Sequence, residues 1–139
     1  MSICCYLGLG SNLRSPERQI RQAVQILRKL PRTAVKKVST YQFTEPLSGL
    51  AQPKYCNVIV QIKTTLPPHI LLRYCQAIEI QKGRIRKKRW ASRTLDIDVL
   101  LYGSKKINTP TLVIPHPGIH LRDFIYEPLQ HLLGQQLLR

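Results

Sequence analysis

A chain of 139 residues is long enough for one compact domain with its own core, and we expect residues 1–139 to form a single domain. The hydrophobic share of 43% and the charged share of 21% are typical of a globular protein. The net charge of +15 predicts an anionic partner, which could be a nucleic acid, an anionic membrane surface or a phosphorylated small molecule.

Cysteine spacing bears on structural zinc, and the first residues of the chain bear on secretion and membrane insertion. The four cysteines form no CxxC pair and no spaced Cys/His cluster, so we expect thiols in the core and no structural zinc. The chain does not open with a charged and then apolar leader, and no apolar run reaches the ~18 residues of a membrane-spanning helix. We therefore predict a soluble, cytoplasmic protein with no membrane partner.

Apolar periodicity and turn signals predict six main elements and a final helix. In chain order they are a strand over residues 3–9, a helix over 16–30, a strand over 34–43, a strand over 55–64, a helix over 67–81, a strand ending at 102 and a helix near 124–133. Loops are expected over 44–54 and 82–93. This β-α-β-β-α-β order predicts an α+β fold, a ferredoxin-like sandwich in which helices pack on a mainly antiparallel sheet.

Two carboxylates stand inside the last predicted strand, within an otherwise apolar run. On a strand, residues i and i+2 point to the same face with their Cα atoms about 6–7 Å apart, so Asp96 and Asp98 are expected to project together. Such a pair repels unless a cation lies between the two groups, and Mg²⁺ suits one or two carboxylates together with phosphate oxygens and water. The alternative is a pair of ordinary strand-end carboxylates satisfied by backbone donors.

The loop before this strand is strongly basic. Residues 82–93 carry seven of the 22 basic residues, together with Gly83 and Trp90, which suit a hinge and a cover over a ligand. Arginine outnumbers lysine here, and its planar fork matches phosphate oxygens. The loop is therefore expected to bind polyphosphate, unless it is only a solvated charged loop.

Motifs spread along the chain resemble those of one family. They are Gly10-Ser11-Asn12-Leu13, Tyr41, Thr44-Glu45-Pro46-Leu47, Gln52-Pro53, Tyr55, Asn57, Gly83-Arg84-Ile85-Arg86, Arg89-Trp90, Arg93-Thr94-Leu95-Asp96-Ile97-Asp98, Pro115-His116 and Arg122-Asp123-Phe124. Their order and spacing resemble the 6-hydroxymethyl-7,8-dihydropterin pyrophosphokinases of folate biosynthesis, over essentially the whole chain. The resemblance implies transfer of pyrophosphate from ATP, the co-substrate, to the hydroxymethyl group of the reduced pterin, with release of AMP.

The same resemblance assigns roles to individual residues. It implies that Asp96 and Asp98 hold two Mg²⁺ ions and that the pterin ring stacks between Tyr55 and Phe124. The implied pterin-binding residues are Thr44, Leu47, Tyr55, Asn57 and Phe124. The implied nucleotide-binding residues are Gln76, Glu79, Arg84, Trp90, Arg93, His116 and Arg122. The implied catalytic residues are Arg84, Arg86, Arg89, Arg93, Asp96 and Asp98, the arginines closing over the polyphosphate.

A different class of function also fits the charge and the fold. Ferredoxin-like sheets occur in RNA-binding modules, which read bases with aromatic side chains on the sheet face. Aromatic residues make up only 6% of this chain and no such aromatic motif occurs, so RNA binding is the weaker hypothesis. We therefore expect a monomer whose partners are ATP and the pterin, without specific nucleic-acid binding.

Overall fold

The fold is an antiparallel sheet with helices on it. The computed structural model describes residues 1–12, 15–44, 55–83, 95–119 and 123–133, with the backbone alone at 123–126. The strands are β1 (Ile3–Ser11), β2 (Thr33–Val38), β3 (Gln42–Thr44), β4 (Tyr55–Thr64), β5 (Asp96–Tyr102), β6 (Ile107–Asn108) and β7 (Val113–Ile114). The helices are α1 (Pro16–Leu27), α2 (Pro68–Gln81) and α3 (Asp123–Leu133).

The main sheet has the order β2-β4-β1-β5, and the short strand β3 also pairs with β4. Every pairing in it is antiparallel, and β6 and β7 form a separate two-stranded hairpin. The predicted α+β class with helices on a mainly antiparallel sheet is thereby confirmed. Within the described residues, the helices are all too short or too polar to cross a membrane.

The two faces of the sheet are covered by different helices. On one face, Ile20 and Leu27 of α1 and Leu71 and Ile78 of α2 pack with Leu7 and its neighbours in the larger core cluster. The other face, called here the α3 face, carries the smaller cluster of Tyr6, Ile59, Leu100, Leu101, Ile119 and Leu129. Because β-strand side chains alternate between faces, one strand contributes to both clusters. Helix α3 therefore adds a third layer to the sandwich.

The predicted strand over 34–43 is two strands in the structure. Ser39 interrupts it: its backbone N–H donates to the Ile59 carbonyl (2.8 Å), and the Ile59 N–H donates to the Ser39 hydroxyl oxygen (2.8 Å). A side chain thus replaces one backbone acceptor of the ladder, so β2 and β3 pair with β4 separately. Ile59 lies twenty positions away from Ser39 along the chain, so local periodicity could not predict this break in the strand.

Helix α1 also ends earlier than predicted, at Leu27. The next turn is tighter, with N–H groups of Lys29 and Leu30 donating to carbonyls three residues back. Ser15 stands at the predicted start, but its φ is 55° and its hydroxyl makes no cap hydrogen bond. The start of the helix therefore depends on Pro16 and on the Glu17 charge in the first turn.

Three of the four thiols are core groups. Cys5, Cys56 and Cys75 are buried and Cys4 is half-buried, and all four are free thiols. Burial raises the pKa of the Cys5 and Cys75 thiols to about 12 and that of the Cys56 thiol to about 11. These groups stay protonated at neutral pH, which agrees with the predicted packing role and makes them poor nucleophiles.

Candidate active site

The carboxylates of Asp96 and Asp98 lie on the α3 face of β5, at the edge of the described sheet. Both are half-buried, while Ile97 and Val99 between and after them are buried in the core on the opposite face. Across the ladder, Asp96 pairs with Gly10 and Asp98 pairs with Gly8. This register turns both carboxylates to the same face, as predicted, and places each of them across from a glycine of β1 that has no side chain of its own.

Each carboxylate has a neighbour from another part of the chain. The Tyr55 hydroxyl, at the start of β4, donates to Asp96 Oδ2 at 2.8 Å. His116 Nε2 lies 3.9 Å from Asp98 Oδ1, and these side chains are 31% and 48% exposed. The Gly118 N–H donates to His116 Nδ1 at 3.0 Å, so a neutral imidazole carries its proton on Nε2, the nitrogen that faces Asp98.

Gly10 is a position at which no side chain fits. It lies between Asn57 on β4 and Asp96 on β5 in one cross-strand row. A Cβ atom at Gly10 would stand 2.6 Å from Tyr55 Cε1 and 2.8 Å from Asn57 Oδ1, which is closer than Cβ atoms approach other heavy atoms. The Tyr55 ring and the Asn57 amide therefore rest directly against the main chain of β1.

The amide nitrogen of Asn57 is a buried donor that has no acceptor among the described residues. Asn57 is 8% exposed and faces the same side as Gly10. Buried polar atoms are nearly always hydrogen-bonded, so a buried donor beside the site needs an acceptor supplied from elsewhere. A ligand with an acceptor on its edge, placed over Tyr55, would provide one.

Glu79 of helix α2 hydrogen-bonds to β5 at Ile97, the residue between the two aspartates. It is a buried acid, 6% exposed, and its Oε2 accepts the backbone N–H of Ile97 at 2.8 Å. The resemblance implied a nucleotide-binding role for Glu79. It gave no indication that Glu79 contacts β5. The sequence did contain one signal for such a contact: Glu79 is an acidic residue at a core position of the helical repeat, one position after Ile78, which is buried.

A cavity of about 250 Å³ opens beside Asp98. It lies between α2 and the β6–β7 hairpin, along the outer edge of β5. Its lining is mostly apolar, with one carboxylate and one imidazole. The lining residues are Leu72, Ile97, Asp98, Val99, Pro110, Thr111, Leu112, Val113, His116 and Pro117. A mostly apolar lining with a few polar groups is typical of small-molecule sites, and a cavity of this size could hold part of a ligand.

The structure brings together part of the predicted set. Thr44 lies next to Tyr55, with its hydroxyl 3.5 Å from the Tyr55 carbonyl oxygen, and Gln76 is exposed on α2. For Phe124 only the backbone is described, near the start of α3. The predicted residues that lie outside the described part of the chain are Leu47, Arg84, Arg86, Arg89, Trp90, Arg93 and Arg122.

The donor set can be tested for its fit to a metal ion. Among the described residues, no three His, Cys, Asp or Glu side chains are grouped to hold one. The pair Asp96 and Asp98 supplies hard carboxylate oxygens on one partly exposed face. Mg²⁺ accepts such a site, because it retains several waters and commonly takes one or two carboxylates together with substrate phosphates. The residues fit Mg²⁺ held jointly by protein and phosphate.

Removal of the Glu79 carboxylate is expected to loosen β5 at the two aspartates. In Glu79→Ala the buried Ile97 N–H loses its acceptor, at a cost of about 1–3 kcal/mol in the free energy of unfolding. Glu79→Gln keeps an acceptor oxygen and should recover most of this loss. Urea denaturation measures both, with exposed Gln81→Ala, at the end of the same helix, as the control. Equal stability of the alanine variant and the wild type would show that the contact does not hold β5.

Comparisons with known proteins give one family. Residues 6–134 match the model of the family described as 7,8-dihydro-6-hydroxymethylpterin-pyrophosphokinase. The 2-amino-4-hydroxy-6-hydroxymethyldihydropteridine pyrophosphokinase of Haemophilus influenzae is 39% identical over 136 residues, 98% of this chain and 85% of its own length. The protein of the same name from Pseudomonas aeruginosa is 40% identical over 127 residues, 91% and 78% of the two chains. The folic acid synthesis protein of Schizosaccharomyces pombe is 37% identical over 124 residues, 89% of this chain and 17% of that protein.

Proposed function

The chain belongs to the 7,8-dihydro-6-hydroxymethylpterin-pyrophosphokinase family, and we propose that Asp96, Asp98 and Tyr55 lie at the centre of its active site. The chain is a transferase of folate biosynthesis: it moves pyrophosphate from ATP to the hydroxymethyl group of 6-hydroxymethyl-7,8-dihydropterin and releases AMP. The observation that carries the site assignment is the carboxylate pair, which faces the Tyr55 ring on one side and the cavity on the other. Nothing in the comparisons supports the RNA-binding alternative.

The two aspartates would hold two Mg²⁺ ions. Their shared direction on β5 and the 48% exposure of the Asp98 side chain support this assignment, since a metal here must also reach phosphate and water. When bound, the ions would neutralise charge on the phosphates and lower the pKa of the attacking hydroxyl. Within the described residues no other group is placed as a strong general base, so positioning and electrostatics would supply most of the rate.

The pterin would lie on the Tyr55 ring, with Phe124 on its other side. Each stacked ring contributes about 0.5–1.5 kcal/mol beyond simple burial. The unpaired Asn57 amide nitrogen supports this placement, because it can donate to an acceptor on the pterin edge. Thr44 and Leu47 would complete the edge of this subsite.

The nucleotide would lie along the outer edge of β5. The cavity beside Asp98 has room for part of a base or ribose, and its apolar lining suits a ring system. His116 would donate from Nε2 to a phosphate oxygen near Asp98. Further contacts would come from Gln76, Glu79, Arg84, Trp90, Arg93 and Arg122. The arginines Arg84, Arg86, Arg89 and Arg93 would close over the polyphosphate, because their planar forks pair with phosphate oxygens.

We also propose a cytoplasmic monomer formed by residues 1–139 as a single domain. Its partners would be the two small-molecule substrates, with no specific nucleic acid and no membrane. The net charge of +15 is more than one ATP site requires, and nothing in the described part of the chain explains the excess.

Ligand-induced stabilisation tests the proposed function. At a hundredfold excess over its Kd, a ligand that binds only the folded chain stabilises it by about 2.7 kcal/mol. A non-hydrolysable ATP analogue with Mg²⁺ and the pterin should therefore raise Tm by several degrees, and by more together than either does alone. A single-stranded oligonucleotide of matched charge is the control. A larger shift with the oligonucleotide than with the substrates would overturn the proposal.

A further inference from the structure

The Tyr55 hydroxyl connects the two halves of the proposed site. We infer that it is a positioning group, which couples pterin binding on the Tyr55 ring to metal binding at Asp96. The inference rests on the proposed function for the identity of the two ligands. It goes further because it assigns to one hydrogen bond the effect of each ligand on the affinity for the other.

The geometry of this contact is unusual for a strand side chain. Tyr55 belongs to β4 and Asp96 to β5, and β1 lies between them. Neighbouring strands lie about 4.7–4.9 Å apart, so the Tyr55 and Asp96 side chains must together reach across two strand spacings to form this hydrogen bond. A side chain that stood perpendicular to the sheet could not reach the carboxylate, so the ring must lie down across β1.

Gly10 is what allows the ring to lie down. Tyr55 Cε1 and Oη would stand 2.6 Å and 3.1 Å from a Cβ atom at Gly10, so both atoms lie directly over its backbone. A ring that lies along a sheet turns one flat face to the strand and the other away from it. The outward face, on the side where α3 packs, is the face on which a heteroaromatic ligand can stack.

One hydrogen bond thus fixes two things. It holds the ring flat as a stacking platform, and it fixes the rotamer of Asp96 through Oδ2. Hydrogen bonds donated to a carboxylate are about twice as strong as neutral ones, and outer partners of metal-binding carboxylates commonly change metal affinity by about 10–100-fold. A pterin that presses on the ring restrains the hydroxyl, and the hydroxyl restrains the carboxylate.

Coupling of this kind is reciprocal. If the pterin raises metal affinity by some factor, the metal must raise pterin affinity by the same factor. For the wild type we expect a coupling factor of at least about fivefold, the lower end of the usual range. In Tyr55→Phe the ring and its stacking surface remain but the donor is gone, so the factor should fall towards one.

The experiment measures Mn²⁺ binding by electron paramagnetic resonance of the free ion. The nucleotide is an ATP analogue with a methylene group between the α- and β-phosphates, because pyrophosphate transfer breaks that link. Mn²⁺ affinity is determined with and without the pterin, for the wild type and for Tyr55→Phe. The variant should bind Mn²⁺ about tenfold more weakly in the presence of pterin, in the range usual for such partners.

The control is Tyr6→Phe. Tyr6 is a buried tyrosine on the same face, and its hydroxyl accepts from Gln61 Nε2 at 2.7 Å, so this variant removes a hydroxyl away from the carboxylates. It should keep the wild-type coupling factor. Circular dichroism and Tm confirm that each variant is folded before binding is compared.

The outcomes separate this inference from the proposed function. If the wild type shows coupling and Tyr55→Phe retains it, the hydroxyl does not carry the coupling and the inference is wrong. If Tyr6→Phe loses coupling as Tyr55→Phe does, the effect is structural and the inference is equally wrong. If the wild type binds neither the Mn²⁺ nucleotide nor the pterin, the proposed function itself fails.

Discussion

Asp96→Asn and Asp98→Asn are each expected to lower turnover by about a thousandfold or more, because loss of a metal ligand removes several kcal/mol of transition-state stabilisation. Asparagine has nearly the same shape as aspartate, so the packing of Ile97 and Val99 on the other side of β5 should not change. Turnover at saturating ATP, pterin and Mg²⁺ measures the effect. Tm and pterin binding to Asp98→Asn show whether the loss is limited to chemistry.

The matched control is Glu17→Gln, which removes the same charge from an exposed position in the first turn of α1, away from the α3 face. It should retain wild-type turnover. A tenth of wild-type activity in either aspartate variant, at saturating Mg²⁺, would contradict the metal assignment.

Gly10→Ala is expected to have the second largest effect, a loss of pterin affinity caused only by steric overlap. The added methyl group would meet Tyr55 and Asn57 at distances below 3.0 Å, so the ring must rise from the sheet. Overpacking of this kind costs about 1–3 kcal/mol, which corresponds to roughly a tenfold to hundredfold loss of pterin affinity if it falls on the bound state. Calorimetric titration with the pterin measures the affinity.

The control is Gly8→Ala, two residues earlier on the same strand and the same face. A Cβ atom there would meet only Leu100 side-chain atoms, at 3.4 Å and beyond. Its pterin affinity should stay within about threefold of wild type, a change of under 1 kcal/mol. Equal losses in both variants would mean that any methyl group on β1 perturbs the site, and that the close approach at Gly10 is not specific.

The sequence predicted the parts of the site that depend on local geometry. The two-residue spacing places Asp96 and Asp98 on one face of any strand, and the apolar residues around them predict that strand. Helix α2 follows in the same way from helical spacing, and its end follows from Gly83, which has a positive φ of 87° in the structure. These features need no information from distant parts of the chain.

Other features depend on which segments meet in the fold. The break between β2 and β3 comes from hydrogen bonds between Ser39 and Ile59 across the sheet. The contact of Glu79 with Ile97 joins a helix to an edge strand. The need for glycine at position 10 appears only once the Tyr55 ring lies over it. No periodicity in the sequence encodes these contacts, because each depends on how two or three separate elements are placed against one another.

The resemblance to the family added residue roles that periodicity could not give. It singled out Tyr55 and Asn57 among ordinary strand residues, and in the structure both lie on β4 with their side chains next to Gly10 of β1. It also assigned the arginines of the basic loop, which lie outside the described residues, so those roles stay predictions.

The most direct test of the account is the identity of the nucleotide product. Purified protein with ATP, Mg²⁺ and 6-hydroxymethyl-7,8-dihydropterin should release AMP in equal amount to the pterin pyrophosphate, and no AMP when the pterin is left out. Chromatography separates AMP from ADP in the same sample. Formation of ADP in place of AMP, or AMP release at the same rate without the pterin, would contradict pyrophosphate transfer to the pterin.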